Sequence, residues 1–304
     1  MGQIKELLQS ILSHRTRNFL MNIGVVGLGL IGGSLGLDLR SQGHQVLGFS
    51  RRASTCERAI ARGVVDDASV DPALLAAAEV VFICTPLAAI VPTVEQLIPY
   101  LSPSTVLTDV GSVKAPIVEA ITPLWSNFVG GHPMAGKAEI GIEAAQLGLF
   151  ALKPYVLTPV ATTPLQALKT VEKIAIQLQA SIYHCCPDEH DRAVSWISHL
   201  PVMSSAALIA ACMSETDPAV LTLAQQLASS GFRDTSRVGG GNPELGVMMA
   251  RYNRLELLRS LQHYHHHLEA LIEYIEQEDW IALEQQLKSN HLARPQFIQG
   301  PTSD

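Results

Sequence analysis

Residues 22–43 read NIGVVGLGLIGGSLGLDLRSQG. NIGVVG is a short buried strand. From Leu30 the apolar positions fall at helical spacing, and Gly43 closes the helix. Between the two lies Gly27-Leu28-Gly29-Leu30-Ile31-Gly32. The first glycine of such a turn permits the tight bend, the second lets a pyrophosphate approach the backbone, and the third lets helix and strand pack closely. The helix N-terminus then attracts the phosphates. Alone, a G-x-G-x-x-G match is weak. Here a strand precedes it, a helix follows, and a second strand, HQVLGF, comes on schedule, so the turn reads as a dinucleotide cradle.

The alternation continues outward from that turn. STCERAIARG is a helix, AEVVFICTP a continuous apolar strand, Leu87 to Tyr100 a helix, STVLTDV a strand, and Val113 to Leu124 a helix. NFVGG is a strand that delivers His132 at its carboxyl end. PYVLTP and ASIYHC are later strands around a helix from Thr163 to Gln179. This pattern predicts an α/β fold, a doubly wound Rossmann-type parallel sheet with helices on both faces. After Pro187 the strands stop. Asp188 to Leu200, Val202 to Met213, Ala219 to Ser229, Glu244 to Glu276 and Trp280 to Asn290 all carry helical periodicity. The expected division is an extension over 1–20, a dinucleotide-binding domain over 21–186, and an all-helical domain over 187–304 that holds substrate and pairs two copies into a homodimer.

Composition bounds the function. The chain has 304 residues, is 47% hydrophobic and 16% charged, and carries a formal charge of −7. That balance suits a large core and argues against nucleic-acid binding. No apolar run in this reading reaches the length of a membrane span, so no membrane partner is expected. Five cysteines without metal-type spacing suit a reducing, cytoplasmic setting, with neither disulfides nor structural zinc. In the extension, Ile4, Leu7, Leu8, Ile11 and Leu12 recur at helical spacing before a basic HRTR, without a signal-peptide cleavage pattern. It reads as dispensable.

NAD-binding turns place an Asp or Glu about 20 residues on, to hold the ribose 2′-hydroxyl. Here the second strand runs into Ser50-Arg51-Arg52. A carboxylate there would repel a 2′-phosphate, whereas an arginine forks hydrogen bonds to it. NADP is therefore the expected cofactor, with Arg51 and Arg52 as solvated helix-start charges the blander alternative. Ligands bind beyond the carboxyl ends of such strands. Thr85 and Pro86 would border the nicotinamide half. Ser112 and His132 come from consecutive strand ends, so they could meet. Lys114 stays open between the site and a surface position.

The helical half adds Ser198 and His199 in SHLP, where Pro201 disfavours smooth continuation. It also adds SSGFRDTSRVGGGNPELG, a loop holding Arg233, Asp234 and Arg237, in which Arg237 either binds a substrate carboxylate or pairs with Asp234. His263, His265, His266 and His267 invite a metal reading, but no acidic or cysteine partner completes a set, so a solvated face and no metal are expected.

Taken in order, GLGLIGGSL, CTP, DVGSVK, GGHPMAG, SHLP and GFRDTSR resemble the prephenate and arogenate dehydrogenases of tyrosine biosynthesis. The resemblance covers Met21 to about Asn290. It implies oxidative decarboxylation of a cyclohexadienol: hydride leaves C4 for the nicotinamide, carbon dioxide departs, and the ring becomes aromatic. His132 matches the family's catalytic histidine, Ser112 its companion, and Arg237 the side-chain carboxylate ligand. The arginines after the turn look most like NADP-dependent arogenate members. The chain departs from the family at Val202, where many prephenate-using members carry a second histidine, and at Ala138, where many carry Glu. Arogenate is the expected substrate and prephenate the alternative. Two remoter readings are an NADP-linked hydroxyacid or imine reductase and an NADPH-binding redox sensor without catalysis.

Overall fold

A computed structural model describes residues 20–137 and 139–298. The extension over 1–20, Leu20 apart, and the departure at Ala138 lie outside the described residues. Eight strands form one sheet in the order β3-β2-β1-β4-β5-β6-β7-β8, from β1 (Asn22–Val26), β2 (Gln45–Phe49), β3 (Asp67–Ser69), β4 (Val80–Ile83), β5 (Val106–Asp109), β6 (Phe128–Pro133), β7 (Pro154–Thr158) and β8 (Ser181–His184). The order reverses between β1 and β4, so a crevice opens beyond their carboxyl ends.

Strand alternation sorts the core onto the two faces of the sheet. Ile23, Val25, Val80 and Phe82 join helices α1 (Leu30–Ser41) and α5 (Leu165–Gln177) through Leu35, Leu39, Val171 and Ile174. Val26, Val81, Ile83 and Leu107 join α3 (Leu87–Leu97) and α4 (Ala115–Ile121) through Ile90, Val94, Ile117 and Ile121. Helix α2 (Ala53–Ala61) follows β2.

The parallel reading holds for β1 to β6 and fails beyond them. β7 runs antiparallel to β6, with His132 opposite Val156, and β8 is parallel to β7. A parallel neighbour needs a crossover, usually a helix. The segment between β6 and β7 supplies only a short 3₁₀ turn, Ile142–Ala144. β3 was not expected either; its three residues, DAS, carry no apolar alternation.

The helical part differs from its sequence reading at two joints. Helix α6 (Pro187–Val194) passes through a π-helical turn, Ser195–His199, into α7 (Leu200–Met213) without a break. Pro201 is the second residue after the π segment and does not end the helix. The continuous run Pro187–Met213 has 27 residues and is long and apolar enough to cross a membrane by length and composition. The expectation of no such run is corrected here; it came from dividing the segment at Pro201. Second, the long helix read from Glu244 to Glu276 is broken at Asn253, between α10 (Pro243–Tyr252) and α11 (Arg254–Glu276). Helices α8 (Pro218–Leu227) and α9 (Ser230–Ser236) precede it, and α12 (Trp280–Ile298) ends the described chain. The chain divides into two compact units, Met1–Asn253 and Arg254–Asp304.

Candidate active site

The glycine turn is built as a cradle. Gly27 has φ +95, and a Cβ there would sit 2.7 Å from the Cys84 carbonyl oxygen. A Cβ on Gly32 would approach the Gly27 carbonyl to 2.0 Å, so neither position admits a side chain. A Cβ on Gly29 meets nothing within 4 Å, which leaves open space above the turn. Helix α1 begins with no side-chain cap, so first-turn N–H groups, among them those of Leu30 and Ile31, remain for a ligand. Thr85, one residue past Cys84, holds a buried Oγ1 without a protein partner. These features fit a dinucleotide pyrophosphate with its reactive end beyond β4.

At the end of β2, Ser50 Oγ accepts from Arg52 N–H at 3.4 Å, and Arg52 occupies the N-cap of α2 without capping it through its side chain. Arg51 and Arg52 are exposed, and their guanidinium groups make no ion pair among the described residues. Pro86 is exposed at the N-cap of α3.

His132 lies within β6 and is 8% exposed. The two glycines before it are not there for mobility. A Cβ on Gly131 would come within 2.8 Å of the Asp109 carbonyl oxygen, and one on Gly130 within 2.4 Å of Thr158 Oγ1. They let β6 press against its neighbours and fix the histidine. Burial chiefly, with neighbouring His190, Lys114 and His199, holds the imidazole well below its ordinary pKa, so it is neutral at physiological pH.

His190 and Asp191, which the sequence reading does not place in the site, lie beside it, together with Lys114 and Asp109. His132 Nδ1 and His190 Nε2 are 2.8 Å apart, and His190 Nδ1 is 2.7 Å from Asp191 Oδ1. Asp191 also receives the N–H groups of Lys114 at 2.7 Å and Ala115 at 2.8 Å, at the start of α4. Lys114 is fully buried, not at the surface. Its ammonium pairs with Asp109 and donates to the Gly131 carbonyl at 2.8 Å. Asp109 in turn receives the N–H groups of Gly111 and Gly131. A wholly buried lysine requires such partners. The sequence reading takes Asp188 to Leu200 only as a helix and assigns His190 and Asp191 no role.

His199, in the π turn, is also fully buried. Asn253 Nδ2 donates to its Nδ1 at 3.1 Å and to the Asp191 carbonyl at 2.8 Å. The proton of His199 therefore sits on Nε2, which is buried and has no protein partner. A π turn at this place fits the frequent use of such turns at functional sites. Ser198 is half-buried beside it, and Ser112 is half-buried three residues beyond β5. The structure brings Ser112 and His132 to neighbouring strand ends but gives no hydrogen bond between them.

Arg237 is the C-cap of α9 and is exposed, without an ion pair among the described residues. Arg233 and Asp234, read as loop, lie in α9 and pair with each other at 3.7 Å, so Arg237 is not engaged by Asp234. Its turn is anchored on α7: Ser205 Oγ donates to the Thr235 carbonyl at 2.5 Å. A Cβ on Gly239 would meet Ala206 N at 2.3 Å, so backbone packs on backbone there. No hydrogen bond or ion pair joins Arg237 to His132. Among the described residues no cluster suits a metal ion. The histidines from His263 to His267 are exposed, and His265 does have an acidic neighbour, Glu269 at 3.6 Å.

Two family models match the chain: the nucleotide-binding domain of prephenate dehydrogenase over residues 35–184 and its dimerization domain over 186–289. The prephenate dehydrogenase of Bacillus subtilis is 30% identical over 262 residues, which cover 84% of this chain and 70% of that protein. The crystal structure of Synechocystis arogenate dehydrogenase aligns with a TM-score of 0.83 and 54% identity, over 91% of this chain and all of that one. Prephenate dehydrogenase from A. aeolicus, solved with hydroxyphenyl propionate and NAD+, aligns with a TM-score of 0.86 and 26% identity, over 91% and 98% of the two chains.

Proposed function

The chain belongs to the prephenate dehydrogenase family, the dehydrogenases of tyrosine biosynthesis, and on that premise we propose that it converts arogenate to tyrosine with NADP+. The observation that carries the reading is His132, neutral and buried, at the carboxyl end of β6. A general base for a hydroxyl proton must be unprotonated and fixed in direction, and the glycines of β6 supply the second condition.

When bound, the pyridine nucleotide supplies the two-electron oxidant. Gly27, Gly29 and Gly32, with the N–H groups of Leu30 and Ile31, hold its phosphates; Thr85 and Pro86 border its nicotinamide. Ser50, Arg51 and Arg52 would receive the 2′-phosphate, and the two guanidinium groups, exposed and without an ion pair among the described residues, favour NADP over NAD. His132 takes the proton of the substrate 4-hydroxyl as C4 is oxidised and the ring carboxylate leaves. Ser112 steadies that hydroxyl. His199 offers its unpartnered Nε2–H to a substrate oxygen, with Ser198 beside it, and Arg237 takes the side-chain carboxylate. Buried groups that are satisfied only by substrate give specificity.

Arogenate is preferred over prephenate because Val202, on the first turn of α7, offers no donor for a keto oxygen. The 54% identity to a structure of an arogenate dehydrogenase supports the same choice. The working division is a cofactor domain over 21–186 and a substrate and pairing domain over 187–304. The match to a dimerization domain supports a homodimer, in which the exposed apolar positions Ile197 and Met213 of the long helix would meet a partner subunit, not lipid. A cytoplasmic enzyme acting on a small molecule, with no nucleic acid or membrane partner, is the setting that follows.

The test mixes protein, NADP+ and arogenate and follows absorbance of the reduced cofactor. Turnover is expected, and His132→Asn should bind NADP+ normally while losing about 10²–10⁴ in kcat. Cofactor binding without turnover of either cyclohexadienol would leave the sensor reading in its place.

A further inference from the structure

We propose that His190 and Asp191 are positioning residues that set the tautomer of His132 and share the charge it acquires. This deepens the reading of His132 as the base and rests on it. Backbone N–H groups can only donate, and two of them, from Lys114 and Ala115, point at the Asp191 carboxylate. Asp191 Oδ1 lies 2.7 Å from His190 Nδ1, so that nitrogen must carry a proton and donate it. In a neutral His190 the other nitrogen, Nε2, is then bare. It lies 2.8 Å from His132 Nδ1, which must therefore be the donor between the two rings. A neutral His132 with its proton on Nδ1 has its lone pair on Nε2. Each proton in the chain is fixed by the one behind it, back to the helix start at α4.

The consequence is chemical. The bond that breaks is the O–H of the substrate hydroxyl, and the bond that forms is N–H at His132 Nε2. His132 is then a buried cation. Its Nδ1–H already points at His190 Nε2, so positive charge spreads onto the second ring, which faces the Asp191 carboxylate. The other titratable groups facing His132 cannot do this. Lys114 is committed to Asp109 and the Gly131 carbonyl, and His199 offers no lone pair because Asn253 occupies its Nδ1. The rings of His132 and His190 meet nearly edge to face, 5.0 Å between centroids, and both side chains are buried.

The full chain carrying isotope-labelled histidine reports the tautomer through two-bond proton–nitrogen correlations. The His132 signals are identified by their loss in His132→Asn. Above neutral pH His132 is expected as the Nδ1–H form. His190→Leu removes the acceptor, and His132 should move to the Nε2–H form that free imidazole favours. His190→Gln keeps an acceptor oxygen, so it should keep the Nδ1–H form while kcat falls at least about tenfold, with KM for NADP+ changed less than about threefold. An Nε2–H form in the unmodified chain, or a tautomer unmoved by His190→Leu in a folded protein, overturns the proposal. If His190→Leu does not fold, the unmodified and His190→Gln spectra still decide. Failure of the unmodified protein to oxidise arogenate would count against the proposed reaction and leave the tautomer result standing.

Discussion

The Lys114 ammonium lies between the Asp109 carboxylate and the carbonyl of Gly131, the residue just before His132, and neither charged side chain reaches solvent. The pair ties the end of β5 and the start of α4 to the strand that carries the base. Burial lowers the Lys114 pKa, and Asp109 opposes that shift. Lys114→Met would leave Asp109 buried with backbone donors only. It should cost about 3–5 kcal/mol of stability, the usual penalty for stranding one member of a buried pair. Lys114→Met with Asp109→Asn should recover part of that. Urea unfolding measures both, and a loss below about 1 kcal/mol in the single variant would contradict the account.

Arg51 presents an exposed guanidinium, without an ion pair among the described residues, just past the end of β2. With NADP+, kcat/KM should exceed that with NAD+ by at least about tenfold, since a charge-assisted phosphate contact is worth roughly 1.5–3 kcal/mol. Arg51→Ala should erase most of the preference. Equal use of the two cofactors by the unmodified enzyme would remove the assignment of Ser50, Arg51 and Arg52 to the 2′-phosphate.

Stability should fall on mild acidification. His199 has an ordinary pKa of 6.5 in the unfolded chain, and burial pushes it to about 4 in the folded one, with Asp191 opposing and His190 assisting. Between those values the unfolded chain binds more protons, so stability drops as pH falls from 6.5 towards 4. The full loss from this one group is on the order of 3 kcal/mol. His132 adds a loss of the same sign, because its pKa is also depressed. Denaturation at pH 7 and pH 5 measures the slope, and His199→Gln should reduce it. A stability that rises towards pH 5 would show that these imidazoles are not buried as neutral groups.

Val202 is half-buried on the first turn of α7, where a Cβ on Gly246 would be in ordinary contact with its Cγ1 at 3.9 Å. A keto oxygen placed there without a donor costs about 1–3 kcal/mol. Arogenate should therefore exceed prephenate by at least about tenfold in kcat/KM, and Val202→His should narrow the gap. Prephenate turnover equal to that of arogenate would refute the substrate assignment and leave the cofactor cradle and His132 untouched.

The sequence by itself determined what is local and periodic. The glycine turn at Gly27–Gly32 is legible because part of its steric demand acts between near neighbours: a Cβ on Gly32 would crowd the Gly27 carbonyl five residues back. The strands β1, β2, β4, β5 and β6 are legible because parallel strands buried on both faces are largely apolar, whereas β3, three residues at the edge, is not. His132 is legible because a strand carries it to the sheet's carboxyl edge. What only the tertiary structure decided depends on pairings far apart in the chain. His190 lies 58 positions from His132, and Asp191 lies 77 from Lys114. A polar residue whose partner arrives from another element looks like a solvated one until the fold supplies the partner, so Asp188 to Leu200 read only as a helix and Lys114 stayed undecided. The same reasoning covers the direction of β7, since alternation along a strand does not say which way it runs. It also covers the break at Asn253, whose side chain serves His199 and Asp191, 54 and 62 residues away. Hydrophobic period is a property of a segment, whereas satisfaction of buried polar groups is a property of the whole fold.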